Sequence, residues 1–280
     1  MSNVNGVIDV LRDWKRIADK RADSGAPRLT LWQTHLRLKL ALLSRRTGLE
    51  TDVLGYRVSH LGLGSLVHLF REIFVSRVYD VPLDAPTPTI IDCGSNIGMS
   101  ILFFKDLYPA ARVIGFEPHP VVHHTLKRNI ERNALGNVVV HQMALGDQRG
   151  TLDFFIKPDD PGALNMGLFA DQSAASAIAV ECDVLSRYID GEVDLLKLDI
   201  EGAEEQVLVE LAREDKLRYI RHIVCEYHHH IDVQLDRLSR TLATLEQAGF
   251  GYQIAAHLGR PPAKKAYQDV IVYAYRKIAR

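Results

Sequence analysis

The chain has 280 residues, 47% hydrophobic and 25% charged, enough to bury the core of one large domain or of a medium domain with an appendage. Its formal net charge of −1 provides no overall field to hold nucleic acid or a membrane surface. Cys93, Cys182 and Cys225 lie in apolar stretches without metal-ligand spacing, no apolar run is long enough to cross a bilayer, and the start lacks a signal-peptide core, so a soluble, cytoplasmic protein without disulfides or a membrane span is expected.

The first 85 residues have helical periodicity, clearest in "LWQTHLRLKLALLSRR", and end in the Pro-rich "VPLDAPTPT". They predict a modestly basic N-terminal helical cap over 1–85, followed by a second domain over 86–280. From residue 89 short apolar runs alternate with helical stretches, the pattern of βαβ units around a mostly parallel sheet. Strands are expected at "TIIDC", "RVIGFE" and "NVVVHQ", with helices from Ile97 to Leu107 and from Pro120 to Asn133 between them. "TLDFFI", "SAIAVECDVL" and "EVDLLKLDI" are further strands, then come a helix near 202–213, the strand "IRHIVCEY" and a helix near 232–248. The last strands, "GYQIAAH" and "DVIVYAYR", are joined by "LGRPPAKKAYQ", short enough for an antiparallel hairpin.

Three segments carry chemistry. "IIDCGSNIGMS" places Asp92, Gly94, Ser95, Asn96 and Gly98 where a strand passes into a helix, so that backbone approaches a ligand closely and helix N–H groups face it. The middle glycine of a dinucleotide fingerprint is missing, which weakens a nicotinamide reading and leaves a smaller polar ligand. In "GFEPHP", Glu117 ends the second strand, where a carboxylate can accept two hydrogen bonds from a ribose diol. In "DLLKLDIEGAE", Lys197, Asp199 and Glu201 alternate with Leu196, Leu198 and Ile200, so one strand face is ionic and the other apolar.

Together with "VHQMALGD" and "VCEYH", in this order and spacing, these motifs resemble the FkbM family of S-adenosylmethionine-dependent methyltransferases over about residues 70 to 275, including "FREIFVSRVYD" upstream. The resemblance implies a Rossmann-like class I methyltransferase fold, α/β, with a mostly parallel seven-stranded sheet and an antiparallel last strand. It also implies S-adenosyl-L-methionine as cofactor, and methyl transfer to a hydroxyl of a sugar, glycoconjugate or natural product. Ser95 stands where the family often has Ala, and Ile200 where Val is frequent. By motif, Asp92, Gly94, Ser95, Asn96 and Gly98 are expected around the methionine part, Glu117 and Pro118 at the ribose, and Gln142, Met143 and Ala144 beside adenine.

Ligands of open α/β sheets sit beyond the carboxyl ends of the strands, which points Asp199 and Glu201 at cofactor and acceptor. Lys197 is a partner for Asp199, whereas Glu204 and Glu205 read as ordinary first-turn helix charges. "VCEYHHHIDV" supplies His228 as general base, with Glu226 or Asp199 orienting it or the acceptor; Glu201, His229 and Arg260 are expected to contact the acceptor, and no metal is called for. The segment 157–175 has the composition of a lid, and Arg260, Lys264 and Lys265 could hold an anionic group of the acceptor. The partner is a small-molecule or saccharide acceptor and not nucleic acid, and a homodimer is compatible. The rivals are nitrogen or carboxyl methylation on the same fold, and a non-catalytic cofactor-binding scaffold.

Overall fold

The computed structural model describes residues 13–15, 17, 25–44, 48–160, 162–164, 166–167, 176–229, 237–256 and 268–277, Gln268 by its backbone alone. Arg260, Lys264, Lys265, His230, residues 168–175 and the expected start of the helix at 232 lie outside them.

The centre is a seven-stranded sheet. Its first strands in the chain are β3 (Thr89–Cys93), β4 (Arg112–Phe116) and β5 (Val138–His141), all parallel. On the other side of β3 lies β9 (Val193–Leu198), then β10 (Ile220–His229), again parallel. β12 (Gln268–Arg276) runs antiparallel to β10 and to the edge strand β11 (Phe250–Ala256), giving the order β11-β12-β10-β9-β3-β4-β5. The expected seven-stranded class I architecture and its final hairpin are therefore present.

Period-two alternation divides the strand side chains between two cores. Ile90, Val113, Leu195 and Val224 face one; Ile91, Ile114, Leu196 and Ile223 face the other. Strands apolar on both faces belong to a sheet covered on both sides, as parallel sheets are. The second core is covered by α5 (Glu204–Arg213), through Val207, Leu208 and Leu211, and by α6 (Leu238–Gln247), through Leu245. The first is covered by α3 (Met99–Leu107) and α4 (Pro120–Arg132) together with the N-terminal elements. All of Met99 to Lys105 is buried, because α3 lies between the sheet and the N-terminal segment.

That segment contains α1 (Arg28–Leu43), α2 (Leu63–Phe70) and a π-helical turn over Arg71–Val75. Leu31, Leu38, Phe70 and Phe74 join the same core as Phe103, with Phe74 edge-on to Phe103 at 5.4 Å between centroids. It is not wholly helical as expected: β1 (Glu50–Val53) and β2 (Tyr56–Ser59) form a hairpin. Leu54 and Gly55, at φ 55° and 90°, make the tight turn, with Val53 and Val58 fully buried beside it. The hairpin is tied to α4 by two amides. Asn129 accepts from the Ser59 N–H (2.7 Å) and donates to its carbonyl (2.9 Å), and Asn133 does the same for Arg57 (2.9 and 3.0 Å).

β6 (Ala144–Gly146), β7 (Gly150–Ile156) and β8 (Ser176–Val184) form a separate three-stranded sheet beside the β5 end. Among the described residues no helix is long and apolar enough to cross a membrane.

Candidate active site

A cavity of about 390 Å³ opens at the carboxyl ends of β3, β4, β9 and β10. One half is made chiefly by turns and backbone, the other by charged side chains.

In the first half, the loop after β3 reverses over β9. Gly94 has φ +80°, and a Cβ there would lie 1.8 Å from the Asp199 carbonyl oxygen, so a glycine is required. The N–H groups of Gly94 and Ser95 both donate to the Phe116 carbonyl (3.0 and 2.9 Å), locking the loop to β4. Ser95 is among the lining residues although 1% exposed, and its hydroxyl donates to the Asp92 carbonyl (2.9 Å). Glu117, just past β4, accepts from the Asn96 N–H (3.1 Å) on one oxygen and from the His119 N–H (2.9 Å) on the other. Burial pushes its carboxyl up to about 7, against those two hydrogen bonds. Pro118, Phe116, Met143, Ala144 and Leu145 complete an apolar slot beside it.

Four expected contacts are not on this wall. Asp92 is fully buried behind it, accepting from the Ser100 hydroxyl (2.6 Å) and paired with Lys197 (3.1 Å). Gly98 caps α3 against Leu126, and Gln142 is exposed outside the cavity. His229 is also absent from the lining: alternation along β10 places it opposite Glu226 and His228. Of the segment 157–175, Ala163, Leu164 and Met166 line the cavity and Gly167 packs so closely that a Cβ would lie 2.6 Å from that of Glu201.

The second half is organised by Lys197, 1% exposed at the sheet centre. It donates to the carbonyls of Cys93 (3.2 Å) and Gly94 (2.7 Å), and pairs with Asp92 and with Asp199 (3.3 Å). Burial alone would draw its pKa down; Asp92 and Asp199 more than reverse that and keep it a cation. Asp199 in turn is raised by burial, yet Lys197, His228 and Tyr79 together hold it below the ordinary carboxylate range. The Tyr79 hydroxyl donates to Asp199 Oδ2 (2.9 Å), the same oxygen that Lys197 approaches.

His228 is 4% exposed. Its Nδ1 is 2.8 Å from Glu204 Oε1, and its Nε2 lies 3.5 Å from Glu201 Oε2 and 3.7 Å from Asp199 Oδ1. Burial lowers an imidazole pKa, but three carboxylates, Glu204 foremost, drive this one well above its usual value. Burial also moves Glu201 up to about 8 and Glu226 up to about 9. Asp199, Glu201 and His228 bring one donor atom each within 4.8 Å of one another, as do Glu226, His228 and Asp269.

Glu204 corrects its expectation as a plain helix charge. It is 1% exposed, accepts from the N–H groups of Ile200 and Gly202 (3.1 Å each) and fixes the His228 ring. The N-terminal segment adds residues to which the motif reading gave no role: His68 and Leu69 from α2, and Glu72, Ile73 and Tyr79 from the quoted "FREIFVSRVYD". One helix-spacing signal was readable, His68 four residues before Glu72 and 3.5 Å from it. Tyr79 meets Asp199 across 120 residues, which no local pattern announces.

The FkbM methyltransferase domain, as a family model, matches residues 92–252. "Methyltransferase 1" of Beauveria bassiana is 33% identical over 227 residues, covering 71% of this chain and 86% of that protein. "31-O-demethyl-FK506 methyltransferase FkbM" of Streptomyces tacrolimicus is 30% identical over 230 residues, covering 70% and 86%. "Methyltransferase sdnD" of Sordaria araneosa is 33% identical over 190 residues, covering 56% and 73%. With its cavity at the carboxyl ends of a seven-stranded class I sheet, the chain belongs to the FkbM methyltransferase family.

Proposed function

We propose that this methyltransferase uses S-adenosyl-L-methionine and places the methyl group on a hydroxyl of a saccharide, glycoconjugate or similar natural product. The residues fit that cofactor. Each Glu117 oxygen spends one acceptor site on backbone and keeps another for a ribose diol, the slot by Phe116 and Met143 suits a flat base, and the ionised Asp199 carboxylate favours a sulfonium. When bound, the cofactor supplies an electrophilic methyl group on a cationic sulfur.

The observation that carries the oxygen reading is Asp199 at the junction of the two halves. Its Oδ2 is held by Lys197 and Tyr79, leaving Oδ1 toward the cavity and His228. An ionised, fixed carboxylate there can accept the acceptor's hydroxyl proton as the new C–O bond forms. His228, expected as the base, is drawn well above its usual pKa by Glu204, Glu201 and Asp199, which makes it a cation beside the Asp199 carboxylate rather than a proton acceptor. His68, Glu72, Ile73, Ala163 and Met166 line the same cavity and are the residues to which this reading gives the acceptor. The relative from Streptomyces tacrolimicus bears in its name an oxygen as methylated atom, which supports the same assignment here.

The test is formation of S-adenosylhomocysteine from S-adenosylmethionine with a panel of saccharides, in the wild type and in Asp199→Asn. Turnover on a hydroxyl that falls about 10²–10⁴-fold in the variant is expected. Turnover confined to amines, or undiminished in Asp199→Asn, contradicts the reading.

A further inference from the structure

Among the described residues, Glu226 is a buried carboxyl without a matching lysine or arginine. It is 9% exposed and it lines the cavity. One ring nitrogen of His228 lies within 4.8 Å of Glu226 and Asp269, and that imidazole already faces Glu204, Glu201 and Asp199. The other groups facing Glu226 are Asp199, Glu72 and Asp269, all acidic, and the phenols of Tyr79 and Tyr273. An isolated anion in such surroundings is strongly disfavoured, and the ordinary outcome is that it takes up a proton.

The position of Tyr79 gives that proton a direction. The phenol has one hydrogen and two carboxylate oxygens near it, Asp199 Oδ2 at 2.9 Å and Glu226 Oε2 at 3.5 Å. The shorter contact, to the carboxylate that Lys197 also holds, takes the hydrogen. Glu226 can then close its own contact only as a donor to the phenol's lone pair.

We propose that Glu226 is held as the neutral carboxylic acid and donates to the Tyr79 hydroxyl, which donates to Asp199, so that both hydrogens point toward the base. Such a directed chain strengthens each link and fixes Oδ2, which keeps Oδ1 turned to the acceptor. Glu226 is then a positioning residue acting through Tyr79. Its service to the base rests on the methyl-transfer reading, whereas its protonation and its bond to Tyr79 do not.

Infrared difference spectra of the whole protein, wild type minus Glu226→Gln at pH 7, test this directly. The expected result is a carboxylic-acid C=O band that is missing in the variant, shifts on exchange into heavy water and disappears as the pH passes about 9. In Tyr79→Phe the band should persist at a shifted frequency, because the acid has lost its acceptor oxygen; a purely structural role would leave the band where it was. Absence of the band at pH 7, or a band unmoved by Tyr79→Phe, overturns the proposal. Should a variant fail to fold, the carboxyl resonances of the 13C-glutamate-labelled wild type give the same decision: two glutamates titrating above neutral pH are expected, Glu201 near 8 and Glu226 near 9, and fewer than two overturns it. No readout uses cofactor or turnover, so a failure here is distinguishable from a failure to bind S-adenosylmethionine.

Discussion

The two halves of the cavity are built by different means. Around Gly94, Asn96 and Glu117 the geometry comes from backbone: carbonyls and N–H groups of neighbouring strands close the loop, and the one carboxylate is itself held by two N–H groups. Around Asp199 and His228 the geometry comes from charged side chains that hold each other, with Tyr79 reaching in from the N-terminal segment. A half fixed by backbone can serve one invariant ligand, while a half made of side chains can be re-cut for a different acceptor without moving a strand. Lys197 belongs to both, since it binds the Gly94 carbonyl and Asp199 together.

Removing that link has the largest expected effect. Lys197→Met leaves Asp92 buried without its cation and should cost about 3–5 kcal/mol, read by denaturant unfolding. A loss under about 1 kcal/mol would mean the halves are independently stable. Gly94→Ala breaks the backbone half alone: its Cβ would collide with the Asp199 carbonyl, so a loss of about 1–3 kcal/mol is expected with cofactor binding abolished in calorimetry. Retained binding would show that the turn is not needed at this approach.

Titration sharpens the comparison at a smaller scale. The Glu117 carboxyl, raised to about 7, is neutral below that pH and ionised above it. A diol donates best to the ionised form, so cofactor affinity should rise with pH through 7 and weaken by about tenfold per unit below it. Equal affinities at pH 5.5 and 8 would remove Glu117 from the site. The smallest effect belongs to the acceptor wall: Glu72→Gln should change stability by less than about 0.5 kcal/mol and leave cofactor affinity alone, while altering the Michaelis constant for the acceptor. A changed cofactor affinity would mean the halves are not separable there.

How much of this was legible follows the range of the interactions. Strands such as "TIIDC" and "VDLLKL" are readable because strands buried on both faces are apolar runs, and the ionic side of Lys197 and Asp199 follows from alternation. The same alternation places His229 opposite His228, a signal available in the sequence and outweighed by the simple adjacency of three histidines. Asp92, Gly98 and Gln142 come from the right loops, yet motif matching does not distinguish a residue on the wall from one behind it. The hairpin at 50–59 was hidden inside a helical reading, because its turn, Leu54-Gly55, lacks the Asn-Gly or Asp-Gly pair that marks such turns and offers only a lone glycine. Tyr79 was out of reach, since its partner lies in another part of the chain.

The most direct test of the central claim is calorimetric titration with S-adenosylmethionine of the wild type and Glu117→Ala. The account predicts one site per chain, weakened at least about tenfold when the two ribose hydrogen bonds are lost. No binding, or the same affinity in the variant, would contradict it.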